Sequence, residues 1–397
     1  MVALATCIAL QMTGFAMVLP LFGRRFEGFG AGVQALAASD MAYSLTGILA
    51  APLTGMLADR FGRRSIILVS LVGNVLAFCG YLLVPFAWLL ILLRGLAGVS
   101  TAGLVPATMS IVGDLAPEDR RAQWIGIIIG SASAGHVVGP LLGGQLYDRF
   151  GFVVPFAASL ATAIGALLLA GFLIPETYTA AVQRSRSRLA WSLGRRALPA
   201  RSTFLMLMLI TFGAMFAWAF ILPQLMFYGY DDLAWTSALM GLVWSAYGVA
   251  FMLGEFALGR LSDRHGRKPV LLLGLVLFLA PFVGLVAFHN LAWNAVSFVL
   301  GGLGNALYDP ALSASILDMA PPECTAATMG LKGPAGSLGN LLGPALVVLI
   351  TPLAGPRVVF LIATALVAVV TLAAGLALRL PCMSGVAHQI SRAAVER

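Results

Sequence analysis

Five ionisable side chains, Asp40, Arg94, Glu255, Asp309 and Lys332, fall inside long apolar runs of this 397-residue chain. A charge at mid-span costs about 2.5–3.5 kcal/mol on membrane-insertion scales, so each needs a partner or a task. Asp309 lies nine residues before Asp318, which closes its run. At 1.5 Å of rise per residue that is a depth of about 13 Å. Lys332 stands about eight residues into the next run from the same side, so the depths match and the two can pair. A carboxylate that exchanges a lysine for a proton as the protein changes shape is a workable coupling device, with Asp309 as carrier. A static ion pair is the alternative. Arg94 enters its run from the opposite side by about eight residues, and Asp40 by about six. Either these two pair, or Arg94 tunes a proton site through a charge it cannot lose. Asp40 is also shallow enough to be hydrated. Glu255 stands one turn before Gly259 and is expected in a gate rather than a cavity. His136 and Asn340 each follow a glycine at mid-span; a histidine there is a relay candidate, and a helix–helix hydrogen bond is its plainer use.

The elements that position these groups are membrane spans. The chain is 60% hydrophobic and 10% charged, against about 25% charged in soluble domains. Its charges cluster in short segments between apolar runs. Twelve spans are expected, near 2–22, 34–57, 65–84, 86–110, 122–145, 152–174, 203–227, 235–258, 269–288, 290–315, 325–351 and 356–379. Each is about 20 residues, enough for roughly 30 Å of hydrocarbon. The first charged residue is Arg24, so the basic start of a cleaved leader is not expected.

Arginine and lysine sort by side. Arg60, Arg63, Arg64, Arg120, Arg121, six arginines of the segment 176–202, Arg260, Arg264, Arg267, Lys268 and the tail arginines fall on one side. Arg24, Arg25, Arg149 and Arg357 fall on the other. The positive-inside rule makes the first side cytoplasmic and, with an even number of spans, places both termini there. The net charge of +8 is thus a topological signal, and no nucleic-acid partner is expected. Cys7, Cys79, Cys324 and Cys382 are scattered singly, without metal or redox spacing. No metal pair, nucleophile elbow or phosphate loop is legible, so neither an enzyme nor a cofactor is expected. The remaining partners are the lipid bilayer and a small-molecule substrate, and a monomer is expected.

The decisive pattern is an internal repeat. Gly55-Met-Leu-Ala-Asp59-Arg60-Phe-Gly62-Arg63-Arg64 returns 204 residues later as Gly259-Arg-Leu-Ser-Asp263-Arg264-His-Gly266-Arg267-Lys268. The same offset carries Pro106 to Pro310, Asp114 to Asp318, Gly135 to Gly339 and Gly139-Pro140 to Gly343-Pro344. A fixed offset means two copies of one unit. The expected fold is an all-α membrane protein with twelve transmembrane helices in two pseudo-symmetric six-helix bundles. Residues 1–175 and 203–380 form the bundles, 176–202 a cytoplasmic linker, and 381–397 a tail.

With these motifs the chain resembles the major facilitator superfamily over essentially its whole length. Gly55 to Arg64 fits that superfamily's loop between spans 2 and 3. Arg94-Gly95-Leu-Ala-Gly98 resembles its span 4 motif, and Gly135-x-x-x-Gly139-Pro140-x-x-Gly143-Gly144 resembles the span 5 motif associated with antiporters. Gly14-Phe-Ala-Met-Val-Leu-Pro20 resembles the span 1 motif of twelve-span drug–proton antiporters, with one proline missing. The resemblance implies secondary transport in the cell membrane, a bacterial inner membrane in this case. It also implies proton-coupled efflux of small amphipathic compounds by alternating access. Uptake, or transport of one dedicated metabolite, is the alternative within the family; a non-transporting sensor or scaffold is the alternative outside it. Relatives also use an acid in span 10, but Lys332 departs from their pattern. Spans 1 and 7 lack the acid many of them carry, which argues against organic-cation specificity.

The loop motifs have a physical reading. Gly62 and Gly266 permit tight turns. Asp59, Arg60 and Arg63 with Asp114, and Asp263, Arg264 and Arg267 with Asp318, are expected to tie span 2 to span 4 and span 8 to span 10. Such pairs would accompany closure of the inner side or opening of the outer side, and plain topology anchoring is the alternative. The glycines of spans 5 and 11 should bring helices close, and Pro140 and Pro344 should bend them, making an interface on which the halves rock. Gln11, Phe15, Trp218, Trp244, Tyr247 and Tyr308 are cavity candidates, with bundle packing as the alternative.

Overall fold

In lipid, a chain must satisfy its backbone polar groups internally, so the long apolar runs become helices. The computed structural model describes residues 1–117, 120–176, 201–258, 261–319 and 325–378, and these are helical with short connections. We number the spans α1 to α12. α1 is Val2–Val18, continued by Leu19–Leu21 and Phe22–Glu27. α2 is Val33–Phe61, α3 Arg63–Leu83, α4 Ala87–Ala102 with Leu104–Leu115, α5 Arg121–Phe150 and α6 Val153–Leu173. α7 is Arg201–Phe227, α8 Ser237–Leu258, α9 Arg267–Phe278 with Ala280–Ala287, α10 Leu291–Met319, α11 Thr325–Gly330 with Lys332–Ile350, and α12 Pro356–Ala377. Eleven are long and apolar enough to cross a membrane by length and composition. The twelfth, α10, is 29 residues long. Its apolarity is diluted by Asn294, Ser297, Asn305, Asp309, Ser313 and Ser315, and it packs inside its bundle against α8 and α9. Most of the expected linker and the tail lie outside the described residues.

The two copies pack alike. α1 lies on α5 as α7 lies on α11; α2 lies on α4 as α8 lies on α10. The halves meet along α5 with α8 and α2 with α11. Gly62 and Gly266 both have φ near +90°, at 93° and 91°, a conformation open to glycine and strained for other residues. This is why both copies of the loop keep a glycine there.

α5 continues through Pro140, and the second segment of α11 continues through Pro344. Breaks in the helices fall at Gly103 in α4, Leu279 in α9 and Leu331 in α11. Pro106, Pro281 and Pro334 follow these breaks within three residues. A proline cannot donate to the carbonyl four residues earlier, so the ladder opens just before it.

The interface expectation also needs correcting. A Cβ on Gly135 would stand 2.8 Å from the Thr13 nitrogen and one on Gly139 2.7 Å from the Thr13 oxygen, both in α1. On Gly343 it would stand 2.8 Å from the Phe216 oxygen in α7. These glycines therefore pack within their own half. Glycine contacts between halves are made by Gly144, against Ser237, by Gly241, against the Pro140 carbonyl, by Gly248, against Val137, and by Gly23, against Met226.

Candidate functional site

The described hydrogen bonds between the halves lie toward the end away from the loop motifs. Gln34 Nε2 donates to the Val348 carbonyl at 3.4 Å, Ser44 Oγ to the Asn340 carbonyl at 3.2 Å, and Ser245 Oγ to the Val137 carbonyl at 2.6 Å. Pro344 leaves the Asn340 carbonyl without its helical donor, and the Ser44 hydroxyl supplies one from the other half. Tyr230 donates to the Pro20 carbonyl at 2.9 Å, with the Arg24 guanidinium 4.2 Å from the Tyr230 ring centre. The Asp148 carboxylate accepts the backbone N–H groups of Ser237 at 3.1 Å and Ala238 at 2.8 Å, capping α8 from the opposite half. At the motif end, by contrast, Gly126 and Gly130 of α5 and Gly330 and Gly333 of α11 have nothing within 4 Å of where a Cβ would stand. The bundle is therefore closed at one end and open at the loop-motif end.

Asp309 and Lys332 meet on the second half. Lys332 Nζ lies 2.6 Å from Asp309 Oδ1 and 2.7 Å from Ser313 Oγ. The pair is partly exposed, with the Asp309 side chain 34% and Lys332 20% accessible, so it is wetter than a buried pair. Lys332 opens the second segment of α11, placed there by the break at Leu331. Glu255 on α8 is partly buried.

Asp40 and Arg94 meet on the first half, with Arg94 Nη2 2.5 Å from Asp40 Oδ1. Asp40 is 8% exposed and Arg94 3%, so the hydrated alternative for Asp40 is corrected: α2 and α4 close over it. The guanidinium lies 4.7 Å from the Phe22 ring centre and 4.8 Å from that of Tyr43. Such faces hold a cation well when water is excluded.

The loop-motif pairs form inside each half. Arg63 pairs with Asp114 and donates to the Ser110 carbonyl at 2.8 Å. Arg267 pairs with Asp318 at 3.0 Å and Asp263 at 2.5 Å. The clamp therefore runs from the first residue of α3 or α9 to the end of α4 or α10. It stands while its own end of the bundle is open, which corrects the expectation that these pairs accompany closure there. A contact within one half can ride with it as a rigid body. Arg60 lies over the Phe61 ring, and Arg264 is exposed. The Asp59 side chain and Arg260 are outside what is described.

The cavity candidates divide. Trp218 stacks on Tyr247 at 4.9 Å and lies 6.2 Å from Trp244, and Tyr247 accepts from Asn305 Nδ2 at 3.1 Å. Phe15 lies 5.8 Å from Tyr43 and 6.4 Å from His136. All of these keep an exposed face. Gln11 and Tyr308 do not: they are 2% and 1% exposed, which removes them as cavity residues here. Tyr308 turns from its neighbour Asp309 toward α9, where its ring meets Phe278 at 5.2 Å. His136 makes its hydrogen bond within its own helix, to the Ala132 carbonyl at 3.0 Å, and none to another helix among the described residues.

Sequence reasoning passed over Asp148, Tyr43 and Ser44. Asp148 has no acidic counterpart in the repeat, where Pro352 stands, and that asymmetry was its only available signal.

Two like bundles of membrane helices, open between them at one end, have the architecture of a membrane transporter rather than an enzyme. The Major Facilitator Superfamily model matches residues 4–232 and 207–383, and the chain belongs to that family. It is 30% identical over 321 residues to the class G tetracycline resistance protein of Vibrio anguillarum, covering 76% of this chain and 77% of that one. It is 25% identical over 339 residues to a multi-drug resistance efflux pump PmrA homolog of Lactococcus lactis, covering 84% and 83%. The crystal structure of a D-xylose-proton symporter superposes with a TM-score of 0.74 at 15% identity, covering 95% of this chain and 97% of that one.

Proposed function

We propose that this transporter exports small amphipathic compounds in exchange for protons, by alternating access. The carrying observation is the partly exposed Asp309–Lys332 pair, which has no counterpart in the other half, where Val105 and Ile128 occupy the equivalent positions. A pair reachable from one side can release its lysine, take a proton and return it to the other side once the halves rock. With the arginine-rich side taken as cytoplasmic, the open end faces the cytoplasm. The names of the two relatives, a tetracycline resistance protein and a multi-drug efflux pump, support export and suggest tetracycline as a first probe. In proteoliposomes with an acid lumen, tetracycline should accumulate several-fold above vesicles treated with nigericin. Equal accumulation with and without the gradient rules out proton antiport.

Rocking must also open the far end, where Asp148 caps α8. Removing a helix cap costs about 1 kcal/mol, or about fivefold in an equilibrium. Asp148→Ala should therefore raise the labelling rate of a cysteine introduced at Met226, which is 1% exposed and packs against Gly23 of the other half, about fivefold. An unchanged rate means the cap carries no share of the closure.

A further inference from the structure

A cavity of about 260 Å³ lies between α2, α4 and α11, and none of the aromatic candidates from spans 1, 7, 8 and 10 lines it. Its polar lining is Tyr43, Ser44 and Thr101 from the first half and Ser337 and Asn340 from the second. We propose that this cavity is a substrate subsite for an uncharged part of the transported compound that carries hydroxyl, carbonyl or amide groups.

Placement supports a substrate role. Ser44 is the twelfth residue of the 29-residue α2, near the middle of the span, and substrate sites of such transporters lie near the midplane where repeats meet. The Ser44–Asn340 hydrogen bond roofs the cavity, and the Gln34–Val348 contact lies beyond it toward the closed end. A ligand held here touches both halves, so rocking must change its contacts; differential affinity of this kind is what lets a ligand shift an alternating equilibrium.

Chemistry sets the class. No charged side chain lines the cavity. The buried charges Asp40 and Arg94 pair with each other behind the Tyr43 ring. A cation lodged here would lose its water and meet no counter-charge. The Ser337 hydroxyl and the Asn340 amide, meanwhile, carry no hydrogen bond to other described residues. Together they offer three donors and several acceptor sites. An apolar group would strip water from them without replacement, whereas a hydroxylated or amide-bearing group would match them. Whole drug-sized sites span about 300–1,000 Å³, so this cavity holds a portion of a ligand. Phe15, with its ring centre 5.8 Å from that of Tyr43, offers an adjoining apolar surface.

The inference rests on the reading of the chain as a transporter of amphipathic compounds, but its test needs no gradient. Equilibrium binding of tritiated chloramphenicol, a neutral amide with two hydroxyls, is measured on the full chain in nanodiscs, beside its 1,3-dideoxy derivative. Chloramphenicol should bind saturably and about tenfold more tightly than the derivative, the size of one well-placed hydrogen bond. Asn340→Leu should bring the two within twofold of each other, Ser337→Ala should narrow the gap, and the control Leu338→Ala, exposed and outside the cavity lining, should leave it unchanged. Ligand-free melting temperatures identify any variant that fails to fold. Absence of saturable chloramphenicol binding overturns the proposal, as does equal binding of both compounds by the parent chain or an undiminished gap in Asn340→Leu. A failed antiport assay with these binding results intact would sink proton coupling and leave the subsite standing.

Discussion

Asp309→Asn is expected to lower gradient-driven transport by about 10²-fold or more, the scale of losing a positioned proton-transfer group, while substrate binding persists. Asparagine keeps the shape of the side chain and can still contact Lys332, but it can neither take up a proton nor form an ion pair. Lys332 retains Ser313 Oγ at 2.7 Å and is 20% exposed, so water and the hydroxyl share its charge after the exchange. The fold should therefore survive with a modest change in melting temperature. The measurement is initial-rate tetracycline uptake across an imposed pH gradient, paired with binding at equilibrium. A static ion pair predicts the reverse pattern: a lower melting temperature with transport and its pH dependence intact. Lys332→Met beside Asp309→Asn separates the cases further. Removing both charges should restore any lost stability but not transport, because the proton-binding group is still missing.

Arg94→Leu is expected to destabilise the first half by about 3–5 kcal/mol, the usual cost of leaving one member of a buried pair without its counter-charge. Asp40 is 8% exposed, and its described ion-pair partner is Arg94. The Phe22 ring that flanks the guanidinium offers a stranded carboxylate no donor. The loss should appear as a clear fall in melting temperature in detergent. Adding Asp40→Asn should recover most of it, because the double variant buries no charge. If Arg94→Leu melts with the parent protein, the pair is not structural. If the double variant remains as unstable as the single one, packing of the long arginine side chain, rather than its charge, holds α2 to α4.

Several of these groups were legible in the sequence because a charge in an apolar run stands out. Depth counted at 1.5 Å per residue put Asp309 level with Lys332 and Arg94 within reach of Asp40, and the structure brings both couples together. The 204-residue offset likewise anticipated two bundles that pack alike, since equal sequences at equal spacing bury equal faces. The glycine at each loop turn followed from the conformation that the turn requires.

What a linear sequence cannot carry is direction around a helix axis and the relation between the halves. Tyr308 and Asp309 are neighbours in sequence, yet one turns toward α9 and the other toward Lys332 of α11, because adjacent helical residues point about 100° apart. Gln11 was polar enough to suggest a cavity and is buried in the bundle. The motif glycines signalled close approach, but only packing decided that Gly135 and Gly343 face their own half while Gly144 and Gly241 face the other. Asp148 gave no sign of its role, since a helix end 89 residues away in sequence supplies the N–H groups it caps. Spans, repeat and buried charges were thus fixed by composition and spacing, which act along the chain. The open end, the polar cavity and the closing contacts came from tertiary packing, because each is made by side chains from two halves that meet only once the bundles are formed.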